Sequence, residues 1–298
     1  MKPLLTVFTP AYNRAYTINK CYESLKRQTN KNFKWLVVDD GSTDNTKELI
    51  MKWQKEADFE IDYIYKKNGG MHTAHNTAYE NIDTELNVCI DSDDYLTDDA
   101  VEIIVNEWER VRNDKLAGIG ALDIFESGEV IGVKFPEGLN QSKYFDIYNK
   151  YGVYGDKKFI YRTDLIKNFP YPEYEEEKYV GLDYKYKKLD EKYELALINK
   201  GVCIVEYMED GSSKNMLKQY RRNPNGWCFF RLENLKIPET SLKYKFKECI
   251  HYVSSSIMCK NKEFILKSPY KALTLAAIPF GLALYIYVML KTKDIKIA

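Results

Sequence analysis

The sequence predicts an α/β protein built on a largely parallel sheet. Over the first hundred residues, short β-branched apolar runs alternate with stretches of helical spacing, the pattern of βαβ units. Three of the first four apolar runs also end in clusters of polar residues, as strands do when their carboxyl ends line a binding crevice. With 298 residues, 45% of them hydrophobic, the chain has ample material for a buried core. Composition excludes a disordered, collagen-like or polytopic membrane chain. Lysine plus arginine (44) equals aspartate plus glutamate (44), so the charge gives no reason to expect a nucleic-acid partner.

The elements follow in order. Leu4 to Thr9 is a buried strand closed by Pro10, and Thr17 to Gln28 spaces Ile18, Cys21, Tyr22 and Leu25 as a helix does. Next come a strand from Phe33 to Val38, a helix from Thr46 to Glu56 and a strand from Ile61 to Tyr65. A helix from Thr73 to Tyr79, a strand from Leu86 to Ile90 and a helix from Ala100 to Val111 complete the alternation. After Leu116 the pattern changes. Gly118 to Phe125 and Glu129 to Phe135 flank the Ser127-Gly128 turn and predict a hairpin. Beyond a tyrosine-rich polar stretch, a helix is expected over Asp183 to Tyr193 and a strand over Cys203 to Tyr207. Helices are then expected over Asn215 to Tyr220, Trp227 to Leu235 and Tyr244 to Cys259.

The tail carries a different signal. Ala272 to Leu290 is nineteen residues without a charge, between Lys267 and Lys271 on one side and Lys291 and Lys293 on the other. At about 1.5 Å per residue such a helix approaches the thickness of a bilayer core. Pro279 and Gly281 interrupt it, and lysines at both ends leave its orientation open. A spanning helix, a helix embedded in the cytoplasmic leaflet and a buried or partner-facing helix all fit. Contact with a membrane surface through 272–290 is the expectation. The six cysteines are widely spaced with no CxxC, which fits a reducing cytoplasmic compartment. Met1-Lys2-Pro3-Leu4 runs straight into a strand, so no signal peptide is expected.

The chemistry is expected where the strands end. The first exits into Pro10-Ala11-Tyr12-Asn13-Arg14, the second into Asp39-Asp40-Gly41-Ser42-Thr43-Asp44, and the fourth into Asp91-Ser92-Asp93-Asp94. Each alone reads as an ordinary turn. Together, carboxylates on neighbouring strand ends suit a hard divalent cation, Mn2+ or Mg2+, which shares its shell with substrate phosphates. No GxxxxGK(S/T) is present, which excludes a P-loop. No GxGxxG follows the first strand, which excludes the dinucleotide-binding oxidoreductases.

These three segments, with Asn68-Gly69-Gly70-Met71-His72-Thr73-Ala74-His75-Asn76 between the second and the last, resemble the family-2 inverting glycosyltransferases of the GT-A fold, of the non-processive bacterial surface-polysaccharide type. The resemblance is strong over residues 4–115 and loose over 116–210. It implies a GT-A catalytic domain over 1–214, made of a nucleotide-sugar-binding half (1–115) and an acceptor half (116–214), with a helical C-terminal extension over 215–298. It also implies transfer of a sugar, with inversion, from a nucleotide-diphosphate donor (UDP-sugar favoured) to a hydroxyl of a saccharide or lipid-linked acceptor. The enzyme would work at the inner face of the cell membrane in capsular, exo- or cell-wall polysaccharide synthesis.

Roles follow from the resemblance. Tyr12 stacks on the nucleobase, Asp40 accepts from its ring N–H with Asp39 in support, and Pro10 fixes the loop, with Asn13 and Ser92 beside the donor. Asp91 meets the ribose or the metal, and Asp93 holds the cation; Asp94 caps or exchanges roles with Asp93. His72 and His75 stand where relatives place a basic residue near donor phosphate, so His75 is a candidate contact there. The general base that an inverting transfer needs is Asp183, with Glu177 as the rival. Asp210, Ser213 or Lys214 would close over the phosphates. Gln219-Tyr220-Arg221-Arg222 approaches the QxxRW of processive synthases but has Asn223 in place of tryptophan. The competing reading is a sugar-nucleotide nucleotidyltransferase, which would normally open with a glycine-rich basic loop that Pro10 to Arg14 lacks.

Overall fold

The computed structural model describes residues 2–207 and 216–293, so Asp210, Ser213 and Lys214 lie outside the described residues. The chain divides into two compact units: Met1–Pro170 with Lys185–Met208, and Tyr171–Tyr184 with Glu209–Ala298. Residues 171–184, placed in the catalytic domain by the sequence, thus belong with the C-terminal helices.

The first unit begins β1 (Leu5–Ala11), α1 (Asn19–Lys26), β2 (Phe33–Asp39), α2 (Thr46–Glu56), β3 (Ile61–Tyr65), α3 (Met71–Asn81), β4 (Leu86–Cys89). It continues through β5 (Tyr95–Leu96), α4 (Ala100–Val111), β6 (Leu116–Ile124), β7 (Gln141–Ser142), α5 (Tyr144–Asn149), β8 (Lys157–Arg162) and α6 (Thr163–Ile166). After the excursion into the second unit come α7 (Tyr184–Leu189) and β9 (Glu194–Ile204). Among the described residues nine strands form one mixed sheet of order β3-β2-β1-β4-β8-β6-β9-β5, with β7 paired to β9. The first four strands are mutually parallel: Leu5 lies opposite both Phe33 and Leu86, and Ala11 opposite Asp39. Their carboxyl ends therefore open on one edge.

Every residue of β1 and β2 is buried, as expected for strands covered on both faces. Trp35 and Trp108 are fully enclosed in the core, and Tyr22 stacks on Trp53 with ring centroids 4.3 Å apart. On α4 the apolar positions Ala100, Val101, Ile104, Val105 and Trp108 make one stripe that faces this core.

The second half of the sheet departs from the sequence reading. The expected hairpin does not form. Beyond Phe125 only one bridge, Ile124 to Val130, joins the two segments, and the strand β6 pairs instead with β8 and β9. Gly132, at φ +74°, turns the chain away against Tyr154, and the Ile131 carbonyl accepts from Lys157 Nζ at 2.9 Å. The strand β8 was not anticipated, because Lys157 and Lys158 open it and Arg162 closes it. It runs antiparallel between β4 and β6. The helix expected over Asp183 to Tyr193 stops at Leu189, and the strand expected over Cys203 to Tyr207 is the end of the longer β9.

The second unit holds α8 (Met216–Arg222), α9 (Pro224–Leu235), α10 (Leu242–Met258), α11 (Phe264–Lys267) and α12 (Lys271–Lys291). Pro224 sits at the first turn of α9, where its missing N–H costs nothing. Ser241 caps α10 by accepting from the Tyr244 amide at 3.1 Å. The small core is Leu235, Cys249, Tyr252, Val253 and Ala277, beside an Arg231–Glu248 pair at 3.1 Å. The helix α12 runs unbroken through Pro279, contrary to the interruption expected there. All six cysteines are thiols.

Candidate active site

Two loops close the carboxyl ends of β1 and β2, and side chains staple them together. Asn13, at φ +53°, accepts from the Thr43 amide at 2.8 Å while its own amide donates to Ser42 Oγ at 2.8 Å. Asparagine tolerates this left-handed backbone better than most residues. Pro10 is buried at the end of β1, and Tyr12 beside it is 48% exposed, an aromatic face open at the strand end. The Ala15 amide and the Thr46 amide and hydroxyl donate to Asp44, at 2.6 to 3.1 Å.

Asp39 and Asp40 close β2, and both are buried. Asp39 accepts from the Ser42 amide and from the Tyr63 hydroxyl, each at 2.7 Å. Asp40 has four donors. Lys66 Nζ (2.7 Å) and the Gly69 amide (2.9 Å) reach Oδ1; Asn68 Nδ2 (3.1 Å) and the Gly70 amide (2.7 Å) reach Oδ2. An ionised carboxylate offers about four acceptor sites, so these donors fill it. A nucleobase N–H would have to displace one of them. Gly41, at φ +84°, must be glycine because a Cβ would stand 2.8 Å from the Asn68 amide nitrogen. The Lys66–Asn68–Gly69–Gly70 loop that Asp40 anchors leads directly into α3.

The histidines of α3 lie inside. His75 is 1% exposed, its ring packed edge-on against Phe8 at 5.0 Å, with Nε2 3.6 Å from Cys89 Sγ. Burial, with smaller contributions from Lys185 and His72, lowers its pKa to about 3. A neutral buried imidazole packs the helix on the sheet.

After β4 the chain turns at Asp91-Ser92-Asp93-Asp94, with the Asp94 amide donating to the Asp91 carbonyl at 3.0 Å. Asp91 and Asp93 are half-buried; Ser92 and Asp94 are buried. Behind them lie Asp123 at the end of β6 and Lys158 on β8. Lys158 Nζ stands 3.8 Å from Asp94 and 3.7 Å from Asp123. Burial lifts the Asp94 carboxyl to about 8; Lys158 opposes, and Asp91, Asp93 and Asp123 add to the rise. Asp123 rises to about 6, again chiefly through burial, with Lys158 opposing. Burial alone would lower Lys158, yet Asp123, Cys203 and Asp94 carry its pKa well above the ordinary lysine value. Lys158 thus stands between Asp94 and Asp123, with Lys157 also lowering Asp123 and with Asp91 and Asp93 raising Asp94 from the strand end.

Among the described residues no three histidine, cysteine, aspartate or glutamate side chains converge into a complete metal cage. That suits Mg2+ or Mn2+, which keeps several waters and binds through one or two carboxylates plus phosphate oxygens. The all-oxygen donors Asp91 and Asp93 fit such an ion.

Glu177 and Asp183 belong to the second unit. Glu177 Oε1 accepts from the Asn225 amide (2.9 Å) and Nδ2 (2.7 Å), and Oε2 from the Gly226 amide (2.8 Å). These bonds satisfy the first turn of α9, a structural task that occupies both oxygens. Asp183 is half-buried just before α7, and its charge reaches Tyr179 and Tyr244.

Residues 6–169 match the family described as glycosyl transferase family 2. The chain belongs to that family. The matched region contains every donor-side residue from Pro10 to Asp93 and stops before Glu177 and Asp183. Glycosyltransferase GlyA of Streptococcus pneumoniae serotype 4 is 30% identical over 165 residues, which are 55% of this chain and 23% of that protein. Chondroitin synthase of Pasteurella multocida is 38% identical over 106 residues, 36% of this chain and 11% of that protein. The chain therefore spans less than a quarter of the length of either relative. Among solved structures, S. aureus TarS 1–349 in complex with UDP-GlcNAc superposes with a TM-score of 0.63 at 18% identity, covering 99% of this chain and 92% of that one. Mannosyltransferase PcManGT from Pyrobaculum calidifontis, in complex with GDP-Man and Mn2+, gives 0.57 at 16% identity, covering 100% and 77%. At these identities the likeness is one of fold, and the fold is GT-A.

Lys66, Asp123 and Lys158 escaped the sequence reading, which named Asn68 only as part of the loop that carries the resemblance. Lys66 and Asn68 flank Lys67 just before the glycine pair, a signal that was present; Lys158 was hidden in an unrecognised strand.

Proposed function

We propose that the chain is an inverting, metal-dependent glycosyltransferase. It moves a sugar from a nucleotide-diphosphate donor, UDP-sugar favoured, to a hydroxyl of a saccharide or lipid-linked acceptor in bacterial polysaccharide synthesis. The observation that carries this reading is the acidic strand end after β4, where Asp91, Asp93 and Asp94 lie together with Asp123 and Lys158 behind them. The sugar donors in the complexes of TarS and PcManGT, and the Mn2+ in the latter, support it through the shared fold.

In this reading Tyr12 stacks on the base, and the Asn13 staple, Pro10 and Ser92 hold the loops that frame it. Asp39 and Asp40 hold the edge of the pocket, Asp40 through the Lys66–Gly70 loop; contact with the base requires one of its donors to yield. Asp91 and Asp93 would hold Mn2+ or Mg2+, which when bound offsets the charge that develops on the departing nucleoside diphosphate. Asp183 takes the proton from the acceptor hydroxyl as that oxygen attacks the anomeric carbon, so the sugar inverts. Glu177 remains the rival base by sequence, but its oxygens already serve α9. Attachment to the inner face of the cell membrane through 272–290 belongs to the same reading.

The test is a donor screen. Purified protein with Mn2+ or Mg2+ is offered a panel of nucleotide sugars while nucleoside diphosphate release is followed. The proposal expects slow metal-dependent hydrolysis of one donor that Asp93→Ala abolishes. Pyrophosphate release from a nucleoside triphosphate and a sugar phosphate would instead favour the nucleotidyltransferase.

A further inference from the structure

The helix α12 is long and apolar enough to cross a bilayer, yet it is docked along one side. Thr274, Ala277, Gly281 and Val288 are its buried positions, spaced as one helical face. Gly281 lies so close to α10 that a Cβ there would meet the Val253 side chain at 2.5 Å and the Ile250 carbonyl at 3.0 Å. Thr274 Oγ1 reaches Cys249 Sγ at 3.4 Å and Ser268 Oγ at 2.7 Å, and Val288 packs with Tyr220 and Trp227.

The other side is exposed, although the Phe280 ring also meets Phe246 of α10 edge-on at 5.6 Å. Leu275, Phe280, Leu282, Ile286, Tyr287 and Leu290 are each 44 to 67% exposed. Every exposed residue from Ala272 to Leu290 is uncharged, and all but Tyr287 are non-polar. A water-facing helix carries charged and polar residues on its outer face, and this one carries only the hydroxyl of Tyr287. The ends are cationic. Lys260, Lys262, Lys267 and Lys271 precede the face and Lys291 and Lys293 follow it, against two acids, Asp294 and Glu263, the latter paired with Lys267 at 2.9 Å.

We propose that this outer face of α12 lies in the plane of an anionic lipid bilayer, embedded in one leaflet without crossing it. The inference deepens the membrane attachment in the reading above and adds its geometry. A crossing helix would carry its docked neighbour α10 into the hydrocarbon, with Lys243, Lys245 and Lys247 on it and the Arg231–Glu248 pair behind. An in-plane helix sinks only its apolar face and keeps α10 and α9 on the aqueous side. The terminal lysines then reach up to lipid phosphates, with their stems along the acyl boundary.

The full chain is sedimented with vesicles of phosphatidylcholine alone and with 30% phosphatidylglycerol, beside a Phe280→Glu/Ile286→Glu variant. Both substitutions fall on exposed positions, and an unchanged thermal midpoint and unchanged donor hydrolysis verify that the variant folds. The expected result is at least tenfold tighter binding to the anionic vesicles than to the neutral ones, lost at least tenfold in the variant. Trypsin added outside the vesicles is expected to cut at both Lys271 and Lys291. Equal binding to both vesicle types, binding unaltered in the variant, or protection of one end of α12 would overturn the proposal. So would self-association without vesicle binding, which would mean that a second copy covers the face. Donor hydrolysis measured without vesicles reports separately on the sugar-transfer reading, so the two can fail independently.

Discussion

Asp40 and Asp94 each follow a parallel strand of the same sheet with a buried carboxylate, and their surroundings are opposite. Around Asp40, four donors converge on one carboxylate. Around Asp94, Lys158 stands between two carboxylates, Asp94 and Asp123, and Asp123 Oδ1 accepts no hydrogen bond among the described residues. Burial of a charge is tolerated when hydrogen bonds or counter-charges replace the lost water. The first cluster is complete as it stands and builds a loop. In the second, burial keeps the Asp94 and Asp123 carboxyls raised despite Lys158.

Substitutions separate the two. The largest effect is expected for Asp93→Ala: metal-dependent donor hydrolysis falls on the order of 10³-fold while the thermal midpoint barely moves, because removal of a half-buried acid from an acidic cluster relieves repulsion. A comparable loss of fold would break the contrast. Asp40→Ala is expected to destabilise by about 3–5 kcal/mol, the cost of removing one partner of a buried pair and orphaning the Gly69 and Gly70 amides. Chemical denaturation measures it, and a value under about 1 kcal/mol would show that the loop does not depend on Asp40.

A pH series sharpens the second cluster. The Asp123 carboxyl sits at about 6 in the folded chain, above its unfolded value near 4. The folded state therefore binds more protons between these values, and stability falls as pH rises through that window. Asp123→Asn should flatten this fall, by roughly 1–3 kcal/mol at neutral pH, in thermal melts from pH 4 to 7. An unchanged slope would mean that Lys158 already compensates the carboxylate. The smallest effect is at the staple. Asn13→Ala loses one hydrogen bond and adopts a left-handed backbone less readily, at about 1–2 kcal/mol; Asn13→Gly should cost less, and the two melts together separate bond from backbone.

Much of this was legible from residues alone. From β1 to α4 the main strands are short apolar runs and α1, α2 and α4 each carry one apolar stripe, so local preference and tertiary burial agree, and α2, β3 and α4 fall on the expected boundaries. The two-residue β5 was not expected, and α3 buries polar side chains. The positions of Asp39, Asp40, Asp91 and Asp93 at strand ends followed from that alternation. Their partners did not. Lys66, Gly69 and Gly70 reach Asp40 across 26 to 30 residues, a contact that no local pattern encodes. Lys158 sits in a strand whose lysines disguise it, and it is buried because Asp94 and Asp123 flank it. His75 and Glu177 looked chemical by residue type, but the Phe8 packing of one and the α9 amides of the other give each a structural task.

The most direct test of the account is a calorimetric titration of the wild-type chain with UDP, then GDP, in Mn2+ and again in EDTA, with Asp93→Ala alongside. The account predicts binding of a nucleoside diphosphate in Mn2+ that weakens at least tenfold in EDTA and to the same extent in the variant. Equal affinity with and without the metal, unaltered by loss of Asp93, would contradict it.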